Sequence, residues 1–554
     1  MLFFNTIKLY YFTISKLRLI QIIYQIKRKL FTARVKLFQG SIQIRPIQNE
    51  LKHIIRKSQS IFEGNTFIIN NEAGKLADVG WSGQERSELW RYKQHYFDDL
   101  CSVASHLMRD KHSILIDHWI KFNKQFEKPG WDPYPTSLRI VNWIKWDLTV
   151  GTLSDSQRLN LFNQARWLHK NIEYHILGNH IFANAKALIF AGIYFQGTEA
   201  EKWLSKGTKI LLIEIREQVL DDGGHFELSP MYHSIFVEDI LDLINLFSSY
   251  KDSLGVSEVQ VSTLLRSIVP NMLSWLHKMI HPDGAFTFFN DSNFNSSASY
   301  GELREYAKAV GIDGNLENFK FFADLEDSGF FVWRDGGDYM ALDSGEIGPK
   351  YLPGHAHADT LSFELSIFSS RIIVNSGLSC YAKGALRAYQ RSTKAHSTIA
   401  LADSDSSEVW SSFRVARRAS IIDRYVYHSD DEYHFGGTHD GYRRLPCRAL
   451  HRREVLAKKG KIKITDQILG RNEVETEINF YLAPNVEVKK ADGPDFYIMD
   501  TNTNQKILLK FSDRDFAVSD ALWYPEFGKQ TKTKKISLKK IVSLPITFET
   551  FVEW

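Results

Sequence analysis

Three short stretches of this chain concentrate side chains able to move protons. The first is Gly178-Asn179-His180-Ile181-Phe182-Ala183-Asn184. An amide beside an imidazole, just ahead of an apolar helical run, offers a donor and a titratable ring; the structural alternative is a helix cap and a loop histidine. The second runs from Asp222-Gly223-Gly224-His225-Phe226-Glu227 through Ser229-Pro230-Met231-Tyr232-His233. Two glycines permit a tight turn and Pro230 favours a helix start. His225, Glu227, Tyr232 and His233 then crowd one corner, and such density of titratable groups points to chemistry. The third is Pro353-Gly354-His355-Ala356-His357-Ala358-Asp359. In extended chain, alternate residues share a face, so both imidazoles point the same way. That suits metal binding or a shared catalytic pocket. His396, in Lys394-Ala395-His396-Ser397-Thr398, is a distant candidate partner.

Weaker candidates surround these. The forked donors of Arg139, Arg387 and Arg391 suit a carboxylate or sulfate. Trp81, Trp90, Trp131 and Tyr134 offer flat faces for sugar rings, with core packing as the alternative for each.

The elements that must position these residues fall into two sets. From about residue 50 to 320 the apolar spacing is helical. Ser154 is placed to cap a helix through Leu159, Phe162, Ala165 and Leu168. A second helix fits Ile181, Ala185, Leu188 and Gly192. A third follows Pro230, and more follow over 259–280. With no strand alternation between them, stacked helical hairpins are expected. Near residue 325 the pattern changes. Gly329–Trp333 and Tyr339–Leu342, joined by Asp335-Gly336-Gly337, read as a hairpin, and Leu361–Phe368 with Arg371–Val374 as another. Lys461–Ile464 and Thr476–Tyr481 look like further strands. The expected architecture is α+β and multidomain: a basic segment over 1–49, a helical domain over 50–322 and an antiparallel β-sandwich over 323–554. A site in the cleft between the last two is the natural place for chemistry.

Bulk properties agree with that division. The 554 residues exceed what one core usually serves, and 44% hydrophobic with 24% charged residues is ordinary for a globular chain. The net charge of +4 permits an anionic substrate without demanding one. Cys101, Cys380 and Cys447 form no CxxC pair, which argues against a disulfide framework or a cysteine zinc site. The first 49 residues carry nine Lys or Arg and no acid before Glu50, interleaved with apolar residues. Basic residues, Arg34 among them, interrupt every apolar run well short of the ~20 residues that span a bilayer. No standard signal peptide is read there. Two readings stay open: a basic amphipathic helix on an anionic membrane through residues 1–40, or a docking helix with a basic outer face.

At these clusters the sequence resembles the heparinase II/III polysaccharide lyases, heparinase III type. Residues 131–146, 179–188 and 222–239 are similar to that family's helical domain. Residues 355–363, Asn375-Ser376-Gly377 and 391–398 resemble its C-terminal domain, and the blocks occur in family order over roughly 80–550. The resemblance implies an incomplete (α/α) toroid followed by an antiparallel β-sandwich. It also implies β-elimination on uronic-acid polysaccharide. It places Asn179, Tyr232 and His355 in the catalytic set, with His180 assisting. Arg139, Trp131, His233, Glu227 and Arg391 are the candidate substrate contacts. The resemblance implies no cofactor for catalysis. Some relatives hold a structural zinc at positions matching His357, Asn375 and His396; asparagine is a poor zinc ligand, which puts that site in question. The expected partner is an acidic polysaccharide and not nucleic acid, at the cell envelope or periplasm by resemblance, with a cytoplasmic or membrane-peripheral place as the alternative. In this scheme nearby cationic histidines would lower the Tyr232 pKa. Two other readings compete: a toroid glycoside hydrolase using Asp222, Glu227 or Glu238, and a non-catalytic glycan-binding protein of surface-glycan assembly.

Overall fold

The computed structural model describes residues 2–30, 35–52, 54–313, 321–429, 431–491, 493, 495–501 and 503–554; Arg34 lies outside them. The helical periodicity of the N-terminal half becomes a set of antiparallel helix pairs. Ser154 caps Asp155–Lys170 in a complete capping box with Gln157. Ser229 caps Pro230–Ser249, with proline in the first turn where its missing N–H costs nothing. Gly178–Tyr194 is buried on nearly every side, between Pro133–Thr149 and Thr198–Gln218. Val256–Lys278 closes against Pro230–Ser249. The arc of hairpins is an incomplete toroid. The expectation of helix alone fails at residues 61–75, where three short strands form an antiparallel sheet. Its Gly74 packs directly on the Trp90 ring, where a Cβ would sit 2.6 Å from the indole. Residues 35–49 are part of this domain: Phe38 packs on Phe162, and the Arg45 N–H donates to Tyr194 O at 2.7 Å.

Among the described residues the C-terminal half holds two large antiparallel sheets, of eight and nine strands, and a two-stranded one of Val409–Trp410 with Arg414–Val415. Both expected hairpins are present, as Phe330–Asp335 with Asp338–Asp343 and Phe363–Ile367 with Ser370–Val374. Strands Leu450–Lys458 and Lys461–Leu469 alternate buried and half-exposed residues, as a sheet with one face on a core must. The two sheets enclose an apolar core that includes Phe331, Phe435, Ile464 and Phe480. The nine-stranded sheet also backs onto the toroid: Tyr339 Oη donates to Lys278 O at 2.9 Å, and His281 Nε2 meets buried Glu364 at 2.8 Å. Two further helices, Leu2–Ile14 and Leu19–Leu30, lie outside both domains. Among the described residues no helix is long and apolar enough to cross a membrane.

Candidate active site

The three clusters meet where the toroid abuts the sandwich. Asn179 stands in the first turn of Gly178–Tyr194, delivered by a sharp entry in which Leu177 and Gly178 both have positive φ (73° and 58°). Gly178 is needed there twice over: the conformation suits glycine, and a Cβ would meet the Leu352 side chain at 2.1 Å. Asn179 and Tyr232 line one cavity, together with Tyr134, His225 and Asp239. Tyr232 comes from the first turn of Pro230–Ser249, and its backbone N–H is held by Ser229 Oγ at 3.2 Å. Its ring stacks on His355 at 3.9 Å between centroids, and its hydroxyl pairs with that of Tyr381 at 3.0 Å.

Asp291 organises the far side. Its Oδ2 accepts from His355 Nδ1 at 2.9 Å and its Oδ1 from His357 Nε2 at 2.8 Å. The two imidazoles of the H-x-H pair therefore do point the same way, onto the two oxygens of one carboxylate. Arg387 completes the cluster with a forked pair to the same carboxylate, Nη2 to Oδ2 at 2.8 Å. Burial would raise the Asp291 pKa, but Arg387 and the histidine hydrogen bonds outweigh it and hold the carboxyl well below its usual range. With a proton on Nδ1 directed at Asp291, His355 Nε2 is left as the free base, an assignment made from the hydrogen-bond partners.

Glu227 sits beneath. It is buried, 3.7 Å from His355 Nε2 and against the Asn179 backbone N–H, and neither carboxylate oxygen has a hydrogen bond of full geometry among the described residues. Burial pushes its pKa up. His180 pairs with Glu173 at 3.3 Å and lies against the Tyr134 ring, so it flanks the cavity. The Tyr232 hydroxyl is held well above the ordinary tyrosine value by burial first, then by Tyr381, Asp291 and Tyr134. The shift is opposite to the lowering expected from cationic histidines, because His225 and His233 are buried and their own pKa values fall.

Four expected substrate contacts are placed elsewhere. Arg139 is fully buried in the toroid, donating to Gln164, His95 O and Thr136 and stacked on Trp119. Trp131 is 1% exposed among Trp119, Phe126 and Trp167. His233 stacks on Trp275 and bonds Met272 O at 3.0 Å. Arg391 gives its donors to the carbonyls of Ala356, Ser411 and Arg414, fixing the H-x-H loop. Trp81 and Trp90 are also core. Each is enclosed by partners inside the fold and turned away from solvent, so none is left to grip a sugar. Three contributors escaped the sequence reading: Asp291, Tyr381 and half-exposed Phe413, which lies 6.1 Å from His355. The polar run Asn290-Asp291-Ser292-Asn293 between phenylalanines was the available signal for the first.

The metal expectation is changed in one ligand. Asn375 is committed to Ser397 N and Ser362 Oγ. Asp359, from the H-x-H-x-D run, stands instead with His357 and His396, and ligand atoms of the three lie within 4.8 Å of one another. His396 Nδ1 faces Ser392 O at 2.8 Å and His357 Nε2 faces the Asp291 carboxylate, so both of those nitrogens carry protons. The remaining lone pairs, His357 Nδ1 and His396 Nε2, then face each other at 3.2 Å. Two imidazole lone pairs beside a carboxylate are a donor set that fits zinc.

Residues 155–317 match the family model "Heparinase II/III N-terminus", and residues 320–548 match "Heparinase II/III-like, C-terminal". A heparin-sulfate lyase of Pedobacter heparinus is 30% identical over 247 residues, covering 40% of this chain and 36% of that protein. The match thus spans about a third of that relative's length. FtsZ-localized protein C of Caulobacter vibrioides is 25% identical over 395 residues, covering 69% of this chain and 63% of its own. A crystal structure of heparinase III superposes with a TM-score of 0.69 at 17% identity, covering 86% of this chain and 79% of that one. The last likeness shows a shared fold, toroid followed by β-sandwich.

Proposed function

Because the chain belongs to the heparinase II/III family, we propose that it is a lyase that cleaves uronic-acid-containing polysaccharide by β-elimination. The observation that carries this reading is that Asn179 and Tyr232 line one cavity while an Asp291-oriented His355 stacks on the Tyr232 ring. The substrate class is a heparan-sulfate-like glycosaminoglycan or a bacterial exopolysaccharide with uronate residues.

The chemistry needs three things, and the site offers one group for each. The C5 proton of a uronate is weakly acidic while its carboxylate is charged. Asn179, whose amide has no protein hydrogen bond among the described residues, donates to that carboxylate and stabilises the charge that develops there. His355 Nε2 takes the C5 proton, and Asp291 stabilises the imidazolium so formed. As C4=C5 forms, the C4–O4 bond breaks, and the Tyr232 hydroxyl protonates the departing O4. A tyrosine with a raised pKa stays protonated at neutral pH, which suits the acid. Each acid–base partner contributes roughly 10²–10⁴-fold. His357, Asp359 and His396 would hold zinc, which would tie the loop to the sandwich and stabilise the fold.

A hydrolase would require two free carboxylates flanking the bond. Asp222 is committed to Ser328 and Gly224, and Glu238 to Lys57 at 2.8 Å, which leaves Glu227 without either as a partner. The test is ultraviolet absorbance during incubation with a panel of uronate polysaccharides, with wild type beside Tyr232→Phe. Rising absorbance with wild type alone is expected, since elimination leaves an unsaturated uronyl end. New reducing ends without absorbance would overturn the reading in favour of hydrolysis. Glycan binding with no turnover would favour a binding protein.

A further inference from the structure

The helix Leu19–Leu30 is docked with its apolar side outward. Its buried residue is Gln21, whose amide donates to Ile176 O at 3.1 Å and Tyr351 O at 3.3 Å. Arg18 stacks on Tyr351 and pairs with Glu217, Tyr24 packs on Tyr174, and Arg28 reaches Asp132. Leu19, Ile23, Ile26 and Leu30, spaced as one helical stripe, are 50–72% exposed. The preceding helix, Leu2–Ile14, is anchored to the sandwich through Thr13 and Tyr10 on Trp410 and Arg414. It too leaves Ile7, Tyr11 and Ile14 exposed. Surface aliphatics scattered singly need no explanation, but two adjacent helices with outward apolar stripes do. Around them lie exposed Lys8, Lys16, Lys27, Lys29 and Lys36, in a segment with no acid before Glu50.

We infer that this pair of helices is a docking surface for an anionic lipid bilayer. The charge selects the occupant: aliphatics enter the acyl boundary while flanking lysines meet acidic headgroups. Arg18 and Arg28, though exposed, pair with Glu217 and Asp132 and so hold the helix on the protein, which leaves the outer stripe preformed. Position gives it a use. Ile176 and Tyr351, the two carbonyls gripped by Gln21, lie three and four residues from Asn179 and His355. A bilayer on the outer stripe therefore lies at the rim of the cleft, and the site is held at the membrane surface.

The experiment is co-sedimentation of the full chain with vesicles of phosphatidylcholine alone or of phosphatidylcholine and phosphatidylglycerol at 3:1. Wild type should pellet with the anionic vesicles, weakly with the neutral ones, and less as salt is raised. Lys16→Gln and Lys29→Gln should each weaken anionic binding about fivefold. The exposed triple variant Leu19→Ser, Ile23→Ser, Ile26→Ser should abolish it while the melting temperature and activity on soluble polysaccharide hold. Failure of wild type to pellet with phosphatidylglycerol vesicles would overturn the inference. So would pelleting indifferent to both sets of changes. A wild-type dimer that the triple variant turns into a monomer, without vesicle binding, would assign the face to a second copy instead.

Discussion

Replacing Asp291 by Asn tests the reasoning at its centre. The carboxylate is fully buried and takes four contacts: one from His355, one from His357 and the fork of Arg387. Asparagine keeps the shape but turns one oxygen into a donor. Whichever way the amide is placed, one arm of Arg387 then faces an N–H, and one histidine loses its acceptor. Arg387 is left buried with its charge uncompensated, and breaking a buried pair from one side costs about 3–5 kcal/mol. That is below the ~5–15 kcal/mol that holds a domain together, so the variant should fold at 25 °C and melt earlier. The catalytic effect adds to this. Without the negative charge the His355 imidazolium loses its stabilising partner in either orientation, and kcat should fall roughly 10²–10⁴-fold, the worth of a positioned base. The assay is the absorbance rate at 25 °C on folded protein, verified by circular dichroism, alongside a thermal melt. An Asp291→Asn protein with wild-type kcat would refute the assignment of His355 as the base. A melt within about 1 kcal/mol of wild type would refute the account of Asp291 as a buried charge hub.

Other outcomes follow from the same contacts. Arg139→Ala should lower stability by several kcal/mol, since three buried acceptors lose their donor, and should leave KM for the polysaccharide near wild type; a raised KM with unchanged stability would restore it as a substrate contact. Metal analysis of purified protein should find zinc at one equivalent, lost in Asp359→Ala and His396→Ala but kept in Asn375→Ala. Gly178→Ala forces a Cβ at positive φ and against Leu352, so about 1–3 kcal/mol of strain and a fall in kcat are expected, read by melt and absorbance rate. Asp466 is buried with Arg453 and His451; burial would raise its pKa, but Arg453 prevails and it falls to about 2. Its contribution, about 2 kcal/mol, is present above an unfolded value near ~4 and lost as pH falls toward the folded one. Asp466→Asn should therefore destabilise the sandwich at neutral pH and flatten its acid unfolding between these values.

Much of the fold was legible because its signals are local. The Ser154 cap, the Pro230 helix start and the Asp335-Gly336-Gly337 turn each act within one turn of chain, and each appears where the spacing put it. The H-x-H pair was legible for the same reason, since alternation in extended chain fixes which way two side chains point. The sheet at 61–75 was not: its strands are two to four residues long and too short to show alternation.

The sequence by itself determined the division into helical and β halves, and it named Asn179, Tyr232 and His355 through local residue type and family order. Only the tertiary structure decided which charged and aromatic groups were free to act. Arg139, Arg391 and Trp131 read as binders because their chemistry suits a sugar acid. Burial against carbonyls and other rings encloses them, and that depends on contacts far apart in the chain. Asp291, Tyr381 and Asp359 gained their roles in the same way, from partners up to 149 residues distant. The direction of the Tyr232 shift was also a tertiary result. A pKa answers to the sum of burial and surrounding charge, and that sum exists only once the chain has folded.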